Sequence, residues 1–463
     1  MTEQLKLKLN DSKATRWGAL VIVAFTMMAA YYVNDVVAPL KTMLETDLAW
    51  SSTDFGFFTG GYSFLNVFFL MLIWGVLILY RFGVRFTGKL ATILMVGGTA
   101  LEYYAMTGLA GADATLFGIN EIFGYKTGVF VAFAGYSIFG VGAEVAGITV
   151  SKIIAKWFKG KELATAMGVQ VALARIGSQA GYAVAIPLAR AFGISTPVLL
   201  GLVLLLGGMI AFFVFAVMDK KLDKQMEAAA IAAGTEDEEE KFSFKDVKNI
   251  LVNPGFWLIA LLCVLFYSCV FPFQKFASEL MIIKYGINEN VAGTFAGLPA
   301  LGALILTPVF GGFIDKRGKS ASIMLLGSAM LICVHFIYAI PDINYWLVAI
   351  VLMIILGIAF SLVPSAMWPA VAKIFPVSQL GTAYALIFFI QNIGLWGIPT
   401  LIGWVLDAYC ISGKKPDGTN MYDYTVPMCI FTGIACLSLI VALLLKKADK
   451  KYGYKLEEPN IQK

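Results

Sequence analysis

Charge is scarce in this sequence. Only 14% of its 463 residues are Asp, Glu, Lys or Arg, where a soluble domain carries about 25%. That leaves too little polar surface to cover the roughly two to four soluble domains such a length would otherwise form. Histidine is scarcer still, with His335 alone. No H-E-x-x-H pair, phosphate loop or dinucleotide fingerprint occurs, which removes several metal- and nucleotide-dependent enzyme classes. The six cysteines are Cys263, Cys269, Cys333, Cys410, Cys429 and Cys436. They lack metal-ligand spacing, and all but Cys410 lie in apolar runs, so they read as small packing residues. No metal and no cofactor is expected. The net charge of +5 is small and spread along the chain, which gives no basis for nucleic-acid binding. The first 16 residues are polar and basic, with no short apolar core or cleavage site behind them, so they are not read as a cleavable signal peptide.

What is abundant is apolar residues, at 59%, with a mean hydropathy of +0.80. A bilayer-crossing helix needs about 20 of them in a row. Such runs fall at about 17–40, 54–79, 89–106, 128–155, 163–191, 196–218, 254–284, 291–313, 320–340, 344–374, 379–406 and 426–446. This predicts an all-α polytopic membrane protein of twelve helices, with the lipid bilayer as its partner. The longest polar stretch divides the runs into two sets of six. It carries the acidic block Glu236–Glu240 and then Lys241, Lys245 and Lys248, and reads as a solvated linker. The predicted organisation is a terminal segment 1–16, a six-helix bundle 17–218, a linker 219–253, a second bundle 254–446 and a tail 447–463.

Basic residues set the expected orientation. Lys6, Lys8, Lys13 and Arg16 precede the first run. Arg81, Arg85 and Lys89 follow the second, and Lys152, Lys156, Lys159 and Lys161 follow the fourth. Lys316, Arg317 and Lys319 follow the eighth, and Lys446, Lys447, Lys450 and Lys451 the last. All fall on one side. The other loops carry Glu45, Asp47, Asp113, Glu121, Asp342 and Asp417. Both termini are therefore expected in the cytoplasm. The one glycosylation-type triplet, Asn10-Asp11-Ser12, would face the same side.

The halves echo each other. The second run ends Gly75-Val-Leu-Ile-Leu-Tyr-Arg-Phe-Gly83-Val-Arg85, and the eighth ends Gly311-Gly-Phe-Ile-Asp315-Lys316-Arg317-Gly318-Lys319. Glycine, apolar residues and a tight basic turn recur, and glycine permits both the turn and close helix approach. A parallel repeat of six-helix halves with this loop resembles the major facilitator superfamily. The resemblance implies two bundles in pseudo-twofold arrangement that rock around a midplane site, with Arg81, Arg85, Asp315, Lys316 and Arg317 as gating latches. The first copy departs from the pattern, having Leu79 and Tyr80 where an aspartate is usual.

A narrower resemblance rests on two segments. One is Phe139-Gly-Val-Gly-Ala-Glu144 through Trp157 and Glu162 to Arg175 and Ser178. The other runs from Ser361 through Trp368-Pro369, Gln379 to Tyr384, Gln391-Asn392 and Leu406-Asp407. Both are similar to the family of the lysosomal dipeptide transporter, major facilitator superfamily domain-containing protein 1. That resemblance implies dipeptide transport by a facilitator without ion coupling. Animal members carry an N-terminal dileucine sorting signal and a lumenal glycoprotein partner. Here Glu3-Gln-Leu-Lys-Leu has no dileucine pair, and no triplet would face the lumen. A bacterial inner-membrane relative is expected rather than a lysosomal one.

Charges within a span cost about 2.5–3.5 kcal/mol on insertion scales, so they face a cavity or a partner. Glu144 and Arg175 lie at similar distances from the same-side ends of runs four and five. Both are roughly 16–18 Å deep, near the middle of a ~30 Å core. Such a pair can neutralise itself while the site is empty. A zwitterionic substrate can replace both partners, the guanidinium taking a carboxylate with two hydrogen bonds and the glutamate taking an ammonium. The plainer alternative is an ion pair that only holds two helices together. Protonation of Glu144 would release Arg175, so the same pair could serve a proton.

Other polar residues are also candidates. Asp35, after Tyr31 and Asn34, fits cavity lining and outer-gate structure equally. Tyr267, Phe271, Gln274 and Lys275 share a helical face with Pro272, which would break or kink that helix. Lys275 and Glu279 are spaced to satisfy each other. Trp368, Gln391 and Asn392 would line the second half of the cavity. Glu102, beside Tyr103 and Tyr104, reads as interfacial, and His335 as a packed helix residue. The expected substrate is a dipeptide or similar small zwitterion, taken by a monomeric carrier working as a facilitator or with protons. An organic-anion carrier using Arg175 and Lys275 is the alternative. A non-transporting receptor or membrane enzyme would be a different class, but a catalytic cluster near one membrane face is missing.

Overall fold

The structure, a computed structural model, describes residues 8–70, 78–111, 114–233 and 244–460. The acidic block Glu236–Glu240, Lys241, Lys6, Asp113 and Gly75 through Leu77 of the first basic turn lie outside the described residues. Among the described residues, fifteen α-helices follow one another. They are α1 (Lys13–Val36), α2 (Lys41–Leu48), α3 (Ser52–Leu65), α4 (Leu79–Thr107), α5 (Thr127–Trp157), α6 (Leu163–Phe192), α7 (Thr196–Ala233) and α8 (Phe244–Val252). The second half holds α9 (Pro254–Tyr285), α10 (Glu289–Ala296), α11 (Leu298–Arg317), α12 (Ser320–Ala339), α13 (Trp346–Ile374), α14 (Val377–Tyr409) and α15 (Thr425–Tyr452). Two small hairpins, β1 (Glu121–Ile122) with β2 (Tyr125–Lys126) and β3 (Ile411–Lys414) with β4 (Asn420–Tyr422), cap loops at one end.

These helices make twelve passes. Among the described residues, nine helical stretches have the length and apolarity to cross a membrane. The passes of α3, α4 and α6 do not reach that mark. α4 carries Arg81, Arg85, Lys89 and Glu102, and α6 carries Gln170, Arg175, Gln179 and Arg190, so polar residues dilute them. The start signals are local. Ser51 Oγ accepts from the Asp54 amide and the Asp54 carboxylate accepts from the Ser51 amide, a reciprocal cap on α3. Asn253 caps α9, with Pro254 at its first position. α7 continues to Ala233, past the end of its apolar run, because the Lys, Leu, Gln, Met, Glu and Ala that follow are good helix formers. Pro272 does not break α9, which is continuous from Pro254 to Tyr285.

The two tight turns recognised in the sequence share one backbone device. Gly83 has φ +72° and Gly318 has φ +71°, a region that costs a side chain but not glycine. The turn therefore recurs at the same place in each half, in keeping with the pseudo-twofold plan. Within the first bundle α1 packs on α6 and α7, and α5 packs on α3 and α4. Within the second, α9 packs on α14 and α15, and α12 on α13 and α15.

The bundles meet along two seams. α3 lies against α14, and α6 lies against α10 and α11. Both seams are tight toward the end of the molecule opposite the termini. A Cβ on Gly403 would sit 2.3 Å from Ser52 O and 2.9 Å from Gly56 Cα. The contact is backbone on backbone. Gly403→Leu should therefore overpack this seam by about 1–3 kcal/mol and lower the melting temperature of the purified protein by a few degrees. An unchanged melting temperature would show that the seam is not close-packed.

Candidate functional site

A cavity of about 610 Å³ lies between the bundles, within the range that holds small organic ligands. α1 contributes Tyr31 and Asn34, α3 Thr59, Tyr62 and Ser63, α5 Glu144, and α6 Arg175. From the other bundle α9 gives Tyr267, Phe271 and Lys275, α13 gives Trp368, and α14 gives Tyr384, Phe388 and Gln391. Its wall reaches the exposed Ser151 and Val171, on the side where α5 ends and α6 begins. That is the side carrying both termini, so the cavity opens there.

Glu144 and Arg175 both line this cavity, as the depth argument places them. They do not form the ion pair expected of an empty site, since no N–O contact within 4.0 Å joins them. The Glu144 carboxylate instead accepts from Tyr62 Oη at 2.9 Å. The Arg175 guanidinium stacks over two rings, Tyr31 at 5.5 Å and Phe360 at 4.9 Å from the centroids. A guanidinium held by ring faces keeps its in-plane N–H donors available. The two charges are thus held apart, each with an apolar or aromatic support.

The second bundle presents rings. Tyr267 stacks on Phe271 at 5.5 Å with 12° between planes. Trp368 Nε1 donates to Tyr267 Oη at 3.3 Å, Tyr384 Oη donates to Trp368 O at 3.0 Å, and Phe388 packs against Trp368 at 4.7 Å. Three expected contacts lie behind this wall. Gln274 turns to α10, where its amide donates to Ala296 O at 3.5 Å. Asn392 is buried and donates to Phe388 O at 2.9 Å. Asp35 is buried behind the closed end. In each case the helical face was correct to within one position, but other helices take Gln274 and Asp35, and the Asn392 amide bonds back to α14 itself.

Cross-bundle charge clusters seal that end. Lys275 Nζ donates to Asn34 O at 2.6 Å and to Asp35 Oδ1 at 3.2 Å, and Ser178 Oγ donates to Asp35. The spacing argument that paired Lys275 with Glu279 is therefore overturned. Glu279 instead pairs with Lys41 of the first bundle at 2.5 Å, and Tyr424 Oη donates to it at 2.5 Å. Lys41 also holds Glu45 at 2.5 Å. Lys415 lies 3.6 Å from each carboxylate. Two lysines and two glutamates therefore balance in a site where Glu279 has no exposed side-chain surface. Farther out, Asp407 accepts from the Ser52 and Thr53 amides at 3.3 and 2.6 Å, and Arg190 joins Glu289 and Asn290.

At the terminus-bearing end the charges stay within their own bundle. Arg85 pairs with Asp223 at 2.8 Å, and Lys156 with Asp219 at 2.8 Å. Asp315 accepts from Asn460 at 2.8 Å. Arg81 stacks on Phe82 and Arg317 on Phe313, and Lys316 is exposed. No ion pair among the described residues bridges the bundles here, so the expected latches are disengaged in this conformation. Sequence reasoning missed Tyr62, Lys41, Lys415 and Phe360. Tyr62 follows Gly60-Gly61 in an otherwise apolar run, which was its one visible signal. Lys41 and Glu45 have helical i,i+4 spacing, but the pairing of Lys41 with Glu279 and of Lys415 with both glutamates crosses the chain, and spacing carries no signal for it.

The family described as Major Facilitator Superfamily matches residues 20–398 and 276–458. The chain belongs to the major facilitator superfamily. It is a multi-pass membrane transporter and not an enzyme. Among curated relatives, the lysosomal dipeptide transporter MFSD1 of Homo sapiens is 29% identical over 453 residues, covering 95% of this chain and 88% of that protein. The protein of the same name from Danio rerio is 26% identical, covering 93% and 86%. Among solved structures, the nucleoside transporter NupG aligns with a TM-score of 0.68 at 12% identity, covering 92% of this chain and 98% of that one. A peptide transporter POT in complex with sulfate aligns at 0.67 with 14% identity and 95% coverage of both chains. These structural likenesses establish the superfamily fold.

The charge cluster yields a prediction. Glu279→Gln leaves two lysines facing one carboxylate. Removing one partner of a buried pair costs about 3–5 kcal/mol, enough to move most molecules to a state with this end open. Spin labels at Thr46 and Lys414, one on each bundle, should report a longer distance in the variant. An unchanged distribution would rule out the cluster as the latch.

Proposed function

We propose that this transporter carries dipeptides by alternating access. The observation that carries the reading is a single cavity holding one carboxylate and one guanidinium that are not paired with each other. A dipeptide supplies the two missing partners, with its ammonium on Glu144 and its carboxylate on Arg175. Tyr62 orients Glu144, and Tyr31 and Phe360 orient Arg175. The aromatic wall of Tyr267, Phe271 and Trp368 would receive side chains without demanding one kind. Similarity along most of the chain to lysosomal dipeptide transporters supports the same substrate class. Asp35 acts behind the site, as part of the closing contacts, and Gln274, Gln391 and Asn392 support the helices of the second bundle.

In this reading the end with the termini and the basic loops is cytoplasmic, and the conformation is inward-open. The membrane is the inner membrane of a bacterium. Arg85 and Asp315, now held by Asp223 and Asn460, become latches when the cytoplasmic end closes.

Uptake of labelled L-alanyl-L-alanine into liposomes tests the substrate. Arg175→Ala removes a charged two-pronged hydrogen bond worth about 1.5–3 kcal/mol, so apparent affinity should fall roughly ten- to a hundredfold. Undiminished uptake by that variant would overturn the site. Competition by organic acids but not by dipeptides would favour an anion carrier that uses Arg175 with Lys275.

A further inference from the structure

Glu102 belongs to no contact described so far. It was expected at the membrane interface, beside Tyr103 and Tyr104. The structure places it with no exposed surface at all, and neither carboxylate oxygen has a hydrogen-bond partner. One turn earlier on the same helix face, Thr99 Oγ1 is also buried and unpartnered. The burial has a simple cause. α4 and α5 approach at Gly98 and Gly135, where a Cβ on Gly135 would lie 2.6 Å from Gly98 O and 2.8 Å from the Glu102 amide. The helices close over the side chain.

The groups around it can be named helix by helix. α5 presents Tyr136, whose hydroxyl donates to Asn34 O at 2.7 Å and lies 3.4 Å from Lys275 Nζ. α9 presents Lys275, which reaches this Tyr136 hydroxyl from the other bundle. α1 presents Asp35, already bonded to Lys275 and Ser178. α7 has no titratable side chain before Asp219, at the far end. The island therefore holds two carboxylates, Asp35 and Glu102, and one ammonium, Lys275. Lys275 is committed to Asp35. One negative charge would remain, without a partner and away from water. Burying an isolated carboxylate is costly enough that the group takes up a proton instead.

We propose that Glu102 is a proton-binding site of the transporter, loaded while Lys275 bridges the bundles and exchanged when that bridge opens. One proton on Glu102 leaves the Lys275–Asp35 pair as the charge of the island. When the bundles part at this end, Lys275 withdraws with α9 and water enters. The carboxyl O–H bond then breaks, its proton passes to water, and the electron pair stays on the carboxylate. Because Lys275 also lines the cavity, loading of Glu102 and occupancy of the substrate site are linked through one side chain. The proposal rests on the transport reading above, but it replaces simple facilitation with proton coupling, and it places the proton away from Glu144.

Two measurements separate the possibilities. Infrared spectroscopy of the purified full-length protein at neutral pH should show the C=O stretch of a protonated acid that disappears in Glu102→Gln and survives in Glu144→Gln. A spectrum identical in wild type and Glu102→Gln would overturn the proton site whatever the substrate is. In liposomes, an inward gradient of one pH unit can support up to about tenfold accumulation of L-alanyl-L-alanine, since one unit per coupled proton is a tenfold change in equilibrium. Wild type should accumulate the dipeptide, while Glu102→Gln should keep exchange without a gradient and lose the accumulation. Equal accumulation by both proteins would overturn coupling through Glu102. If wild type transports no dipeptide, the substrate reading fails, and the infrared result still decides the proton site.

Discussion

A charge removed from water must be compensated, and in this protein the compensation crosses from one bundle to the other. Lys41 belongs to the first bundle, and Glu279 and Lys415 to the second. Asp35 belongs to the first, and Lys275 to the second. Asp35 and Lys275 compensate each other only when the bundles are together at this end, and Glu279 and Glu45 each have a lysine of the opposite bundle beside them. The cavity owes its shape to that constraint. It is capped by Lys275 on one side and opens on the other, where the ion pairs among the described residues run within a bundle. The seams of α3 with α14 and of α6 with α10 and α11 follow the same geometry, tight where the clusters are.

The cavity divides its chemistry between the bundles. Glu144, Arg175, Tyr31 and Tyr62 come from α1, α3, α5 and α6. Tyr267, Phe271, Trp368, Tyr384 and Phe388 come from α9, α13 and α14. The stacking of Arg175 on Phe360 of α13 crosses from one bundle to the other. A carboxylate that engages the guanidinium changes the charge seen by that ring. Binding in the first bundle is thereby felt by the second, which a carrier needs if an occupied site is to favour a different arrangement from an empty one.

The fold was legible because it depends on local signals. Apolar runs of membrane length, basic loops on one side and a glycine turn repeated in each half are all periodic or composition-based. A fixed rise per residue also put Glu144 and Arg175 forward together, and both line one cavity. Partnership was not legible. Lys275 and Glu279 are spaced for each other on one helix, yet each is taken by a residue more than two hundred positions away, Asp35 and Lys41. Intrahelical pairs contribute only a few tenths of a kcal/mol, so a buried partner across the seam outcompetes them. Glu102 was misplaced for a related reason. Neighbouring tyrosines are an interfacial signal, but the glycines that let α5 close over Glu102 lie on two helices, and their contact is invisible from either alone.

The choice of contacts at the closed end also bears on motion. An apolar seam of similar size would strongly resist opening, because separating it exposes apolar surface at about 25 cal/mol per Å². Ion clusters behave differently. Their attraction inside roughly offsets the hydration they give up, so buried and hydrated states lie close in energy. The glycine contact at Gly56 and Gly403 adds close packing without large side chains to expose. A gate built this way can be complete when shut and still cheap to open. The margin is then small enough for one bound substrate or one proton to decide, and this gives the surplus carboxylate at Glu102 its leverage. In a seam held by apolar area, one such charge would be outweighed. In a seam whose charges already balance, adding or removing one shifts the equilibrium.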